Sequence, residues 1–214
     1  MSPQVVHRYK TNQRIGRIGA QVRQVIMDGV AELLWSKRPW QIRASDVAAH
    51  CGLNQSTFYT YFASIDQAIQ ACAVRVYEQH PDMLSFVSGG WGPGDLPRAQ
   101  ALTEAVATFW TIHRPILALT RHLSEEGEAT FTEIRISPHM PFFQACARMI
   151  RDGQTAGRLS PHVEPVLGAY CVFGELETLG ATLHQHGVNG FKYEQSRDTI
   201  AAHVLASLTG YPGD

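Results

Sequence analysis

Several absences narrow the reading of this 214-residue chain. It has no apolar run approaching the ~20 residues that cross a bilayer. Its start, MSPQVVHRYKTNQRIGR, lacks the apolar core of an export signal. A cytoplasmic protein with no membrane partner is therefore expected. The four cysteines, Cys51, Cys72, Cys146 and Cys171, form no CxxC pair and suggest no disulfide framework. They are expected to be reduced and mostly buried thiols. The ten histidines include no HxxxH and no Cys/His cluster at ligand spacing. His184 and His186 are two apart and share no helix face, and His113, His139 and His162 are scattered. Neither metal nor cofactor is expected. No segment alternates like a strand, and no repeat or low-complexity tract interrupts the chain.

A hydrophobic fraction of 44% and a charged fraction of 17% describe a globular protein. Net charge is only −1, but it is unevenly placed. Residues 1–62 hold eight Lys/Arg against three acids, and the rest holds ten against sixteen. A basic first third on an acidic body suggests two tasks, with the anion-binding one first.

Helical periodicity runs through the chain. Ile15, Ile18, Val22, Val25, Ile26, Val30, Leu33 and Leu34 predict one apolar stripe on a helix over 13–36, ended by SKRP. A short helix over 45–51 stops at Gly52, and Asn54 suits the N-cap of a helix to about Phe62. Ser64 and Gln67 fit a capping box for a helix toward His80. The stretch SGGWGPGDLP, Ser88 to Pro97, forbids regular structure. Beyond it the pattern predicts helices over Pro97–His113 and from His113 to about Ser124, with Pro115 near the start of the second. A further helix ends near Gly157, and others span Val163–His186 and Tyr193–Leu208. The expected fold is all-α, about nine helices. It divides into a flexible basic arm (1–12, its charges being Arg8 and Lys10 with Arg14 just beyond), a three-helix head (13–63) and a larger helical body (64–214).

Three short helices with a tight turn before the third make helix-turn-helix geometry, in which the last helix lies in the major groove. Phe58 and Phe62 are four apart, share a face and are assigned to the core. Gln55, Ser56, Tyr59 and Thr60 then lie on other faces. Gln suits a bidentate contact to adenine and Thr the methyl of thymine.

This stretch resembles the DNA-binding domain of the TetR family of bacterial transcriptional regulators. The resemblance rests on Asp46, Val47, Ala48, Gly52, Leu53, Thr57, Phe58, Tyr59, Tyr61, Phe62, Ser64 and Asp66, and covers roughly residues 13–75. It implies that Thr57 and Tyr61 hold phosphates and that Gln55, Ser56, Tyr59 and Thr60 read bases. Asn54 caps the helix and can reach a phosphate. Two positions depart from the family pattern. Ile65 replaces a frequent Lys, and Arg43 replaces a Thr cap. Arg43 caps poorly but binds phosphate well, so it can compensate for the missing Lys.

The same resemblance implies a ligand cavity and a homodimer interface in the body. Leu102, Val106, Phe109, Trp110 and His113 gather on one helix, and His139, Phe142, Cys146 and Met149 on another. Tyr170, Phe173 and Glu177 form a third group. Each stripe also fits plain core. Large aromatics beside Cys, Met and isolated polar groups describe an adaptable apolar site for a small hydrophobic effector. HRPILALTR with the aromatic helix after it looks like the ethionamide-regulator branch of the family, which implies a long apolar pocket. Gly168, Ala169, Gly174, Gly180 and Ala181 allow close helix approach, and Ile200, Ala201, Val204, Leu205 and Leu208 supply an apolar partner. Paired about a two-fold axis they would build a four-helix bundle.

The expected protein is a non-enzymatic, ligand-responsive repressor that binds double-stranded, palindromic operator DNA as a dimer. One alternative is a regulator of the same fold controlled by a protein partner. A small helical enzyme is a distant second, because no nucleophile–base pair or phosphate loop can be read from spacing.

Overall fold

The computed structural model describes residues 16–182, 190 and 192–211. The expected basic arm and the pair His184 and His186 lie outside the described residues. Among those described there are ten α-helices and two short 3₁₀ turns, and no strand. The chain divides into two compact units, the first ending at Ile69 and the second beginning at Gln70.

In the first unit α1 (Arg17–Leu33) is followed by a 3₁₀ turn (Pro39–Gln41), α2 (Ala44–His50) and α3 (Gln55–Tyr61). The stripe predicted on α1 is interior only in its second half. Ile26, Met27 and Val30 are buried, whereas Ile18 is 77% exposed and Val25 is also exposed. Length explains the difference. At 1.5 Å per residue, seven-residue α2 and α3 are about 10 Å long and cannot cover the ~25 Å of α1.

A Schellman motif makes the turn between α2 and α3. The Leu53 N–H donates to the Ala48 carbonyl at 2.8 Å, and the Gly52 N–H to the Ala49 carbonyl at 3.2 Å. This needs left-handed backbone at Gly52, whose φ is +67° and where a side chain would be strained.

Helix α4 (Ile65–Tyr77) begins in the first unit and ends in the second. Its capping differs slightly from the expected box. Ser64 Oγ accepts the Gln67 N–H, but Gln67 Oε1 accepts from Ala63 rather than from Ser64.

The second unit continues with α5 (Met83–Val87), α6 (Leu96–Glu125), α7 (Ala129–Ile136), a 3₁₀ turn (Ser137–His139), α8 (Met140–Thr155), α9 (Pro165–Thr182) and α10 (Tyr193–Thr209). Its core forms where α6 and α8 pack against α9 and α10.

Two predicted helices, meeting at His113, are one 30-residue helix, α6, with Pro115 inside. Proline in a helix interior costs ~3 kcal/mol or more. Burial of Ile116, Leu117 and Thr120 just beyond it offsets that cost. Short α5 was not expected. It starts directly after Pro81, where Asp82 accepts the Ser85 N–H.

Residues 88–95 contain no helix, as the Gly/Pro content predicts. They are nonetheless held by Arg98, whose guanidinium donates to the carbonyls of Phe86, Ser88 and Gly90 at 2.7–3.0 Å. Two cysteines, Cys72 and Cys146, are buried, and burial pushes the Cys146 thiol up to about 12. Cys171 is exposed, contrary to expectation, because α9 turns that face outward.

Candidate nucleic-acid interface and effector cavity

Helix α3 separates its aromatics by face. Phe58 and Phe62 are fully buried, their ring centroids 5.9 Å apart. The Arg23 guanidinium lies 4.8 Å over the Phe62 ring. Tyr59 packs edge-on against Phe58 yet remains 52% exposed. Gln55, Ser56 and Thr60 are exposed with it, and Thr57 and Tyr61 are half-buried. The Thr60 hydroxyl donates back to the Ser56 carbonyl at 3.1 Å, which fixes its rotamer. Asn54 occupies the N-cap position, but its side chain makes no capping bond.

Arg43 sits at the N-cap of α2 and is exposed. Its guanidinium cannot accept a bond. The Asp46 carboxylate instead accepts the Arg43 backbone N–H at 3.0 Å, with Lys37 3.5 Å away. That backbone bond, then Lys37 and Arg43, hold the Asp46 carboxyl below the usual carboxylate range. Lys37 is thus committed to Asp46, while Arg43 presents its cation outward. The preceding turn adds Trp40, 79% exposed with Arg38 5.9 Å over its ring. Sequence reasoning passed over this pair, although the Arg-Pro-Trp run marks it.

In the second unit the structure redistributes the expected ligand residues. A cavity of about 190 Å³ is lined by Tyr77, His80 and the segment 81–84 on one side, and by Pro138, His139, Pro141 and Phe142 on the other. Of the predicted set only His139 and Phe142 reach it. Phe109 and Phe173 stand behind its imidazoles, 4.7 Å from His80 and 4.8 Å from His139 respectively. His113 packs on Phe109 at 4.9 Å, and Tyr170 stacks on Phe143 at 4.2 Å. Leu102, Val106, Trp110, Cys146 and Met149 are buried away from this wall as core. The cavity is compact and edged by imidazoles, unlike the long apolar pocket implied by HRPILALTR.

Glu177 is buried and paired with Arg135, whose Nε stands 3.1 Å and 3.2 Å from the two carboxylate oxygens, with a second bond from Nη2. Arg135 also lies over the Phe173 ring at 5.6 Å. Glu177 is therefore an internal ion pair rather than a free ligand group.

His80 and His139 face each other with centroids 4.2 Å apart. Burial lowers His80 to about 4. Burial, then the neighbouring His80 and Arg135, lower His139 to about 3. Both imidazoles are neutral at neutral pH. Tyr77 is held well above the usual phenol range by burial and then by the Glu177 carboxylate. Sequence reasoning missed Tyr77 and His80, whose i,i+3 spacing before Pro81 was the available signal.

The expected dimer residues also need correction. Ala169, Gly180, Ala201, Val204, Leu205 and Leu208 are interior to the single chain. A Cβ on Gly180 would collide with Trp110, so this glycine serves the contact of α9 with α6. Gly168 packs against Ile150 and Val163. Gly174, Ala181 and Ile200 are half-buried. The outward side of α9 carries Val166, Leu167 and Cys171 instead.

Among the described residues no group of three or more His, Cys, Asp or Glu is placed to hold a metal, and no helix is long and apolar enough to cross a membrane.

A family model described as "Tetracyclin repressor-like, C-terminal domain" matches residues 89–212, more than half of the chain. No curated protein matches the sequence. Solved structures share the fold at low identity. The regulator FadR from Bacillus subtilis, in complex with stearoyl-CoA, is 16% identical with a TM-score of 0.59, covering 87% of this chain and 98% of that one. NalD, secondary repressor of the MexAB-OprM multidrug efflux pump in Pseudomonas aeruginosa, is 17% identical with a TM-score of 0.61, covering 90% and 98%. A putative TetR-family transcription regulator from Shewanella sp. PV-4 is 18% identical with a TM-score of 0.61, covering 87% and 97%. The ethionamide-regulator branch is not among these three. With its C-terminal domain matched and its head built as a helix-turn-helix, the chain belongs to the TetR family of transcriptional regulators.

Proposed function

We propose that this protein is a cytoplasmic, ligand-responsive repressor that binds a palindromic operator as a homodimer and releases it when a small hydrophobic effector enters the second unit. The observation that carries the reading is the division of α3. Phe58 and Phe62 are spent on the core, while Gln55, Ser56, Tyr59 and Thr60 stand exposed. Packing accounts for only the Tyr59 edge against Phe58 and not for the exposed row as a whole, whereas base edges do. Thr57, Tyr61 and Arg43 supply phosphate contacts at its margins.

The effector side rests on the cavity at His80 and His139. Similar folds include a regulator holding stearoyl-CoA and a repressor of an efflux pump, which supports a body that receives an organic molecule. An effector that binds better when the heads are mis-spaced shifts the population away from the operator-bound state. Helix α4, shared by the two units, is the coupling element in this reading. The outward face of α9, with Val166, Leu167 and Cys171, is the proposed dimer surface.

Fluorescence anisotropy against the DNA upstream of its own coding region, at two salt concentrations, tests the reading. Tyr61→Phe should weaken binding to every operator variant alike. Gln55→Ala should cost about 1–3 kcal/mol and relax preference at particular bases. Equal losses over all variants for Gln55→Ala would remove its base-reading role.

A further inference from the structure

The cavity wall defines a ligand more narrowly than "small and hydrophobic". The His80 Nδ1–H donates to the Pro81 carbonyl at 2.9 Å. That bond fixes the tautomer and leaves Nε2 as a bare acceptor, with no hydrogen-bond partner among the described residues. Opposite it, His139 is 4% exposed and its Nε2 has no partner. The nearby cation, Arg135, is taken up by Glu177. The wall therefore offers an imidazole acceptor, a second imidazole, the unpartnered hydroxyl of Tyr77 and the carboxylate of Asp82, and none of its lining residues carries a positive charge to hold a carboxylate or phosphate.

The cavity has the size to seat a ring. A cavity of about 150 Å³ holds a benzene ring. The volume here, about 190 Å³, has room for one ring with one or two small substituents, in a cavity that is partly open to solvent. Tyr77 and Phe142 supply flat ring faces. We propose that the effector of this protein is a small uncharged phenol, its hydroxyl donating to His80 Nε2 and its ring lying among the aromatic side chains of the cavity. This inference rests on the reading of the second unit as the effector domain.

The test is isothermal titration of the full-length protein with p-cresol, toluene and benzoate, alongside decanoyl-CoA. Operator release is followed by anisotropy in the same samples. One satisfied hydrogen bond is worth about tenfold in affinity. The expected result is p-cresol binding about tenfold tighter than toluene, with benzoate weakest, and operator release by p-cresol. His80→Phe keeps a flat ring and should bring p-cresol down to the level of toluene. If that variant fails to fold, the ranking of the three ring compounds on the native protein decides. Equal affinity for p-cresol and toluene, or benzoate binding tightest, overturns the proposal. Binding and release by decanoyl-CoA alone overturn it and leave the effector reading standing. Operator binding that none of the four compounds reverses also overturns it, and absence of both ligand and operator binding removes the effector reading as well.

Discussion

Acidification should destabilise the second unit through two histidines, by an amount that can be worked out in advance. His80 and His139 are held at about 4 and about 3, against an ordinary value of 6.5. Both folded values are depressed, so the unfolded chain takes up these protons first. The associated stability is complete above 6.5 and is lost as pH falls below it, down to the folded values. Between about pH 7.5 and about pH 5, each histidine should remove about 2 kcal/mol, and the pair about 4 kcal/mol. That interval is insensitive to the folded values, because both lie below it, and depends on the unfolded value alone. A loss of ~4 kcal/mol is large beside a typical total of 5–15 kcal/mol.

Urea unfolding followed by circular dichroism at the two pH values measures the loss. His80→Phe and His139→Phe should each reduce it by about half, and the double variant should nearly abolish their share. A double variant that loses as much stability on acidification as the native chain would refute the reasoning. The responsible protons would then belong to other groups.

Three further outcomes are expected. Gly180→Ala forces a Cβ into Trp110 and should cost about 1–3 kcal/mol in thermal or urea unfolding, as overpacked cores do. Glu177→Gln leaves the Arg135 charge buried without its counter-ion and should cost about 3–5 kcal/mol by the same assay, with Glu177→Asp milder. Pro115→Ala restores a helical N–H in the middle of α6 and should raise the urea midpoint, by up to about 3 kcal/mol in stability.

The head was readable because its signals are local. Phe58 and Phe62 fall on one helix face at a spacing of four, and Gly52 marks a turn whose backbone few other residues adopt. The body was less readable for physical reasons. Helix α9 is apolar nearly all round, with Val166 and Leu167 exposed on one side and Ala169, Val172 and Phe173 buried on the other. Periodicity cannot say which side of such a helix faces the interior. That ambiguity placed Ala169 and Gly180 on the wrong surface. The pattern divides α6 at His113, just before Pro115, because local chemistry disfavours proline in a helix interior, and only the packing of Ile116 and Leu117 shows why the helix continues. The cavity brings together residues about 60 apart in sequence, His80 and His139, and no single helical stripe contains both.

The two-faced α3 has a practical corollary. In the free protein, the exposed side chains of Gln55, Ser56 and Thr60 carry almost none of the folding free energy, since exposed substitutions usually change stability by less than about 0.5 kcal/mol, and Tyr59 adds only its edge contact with Phe58. Phe58 and Phe62 hold the helix in place whatever stands at Gln55, Ser56, Tyr59 and Thr60. If these residues read bases as proposed, operator preference is free to drift, or to be redesigned, at little cost in stability. A library randomised at those four positions should yield mostly folded proteins, from which, on the proposed reading, heads with new operator preferences can be selected without altering the second unit.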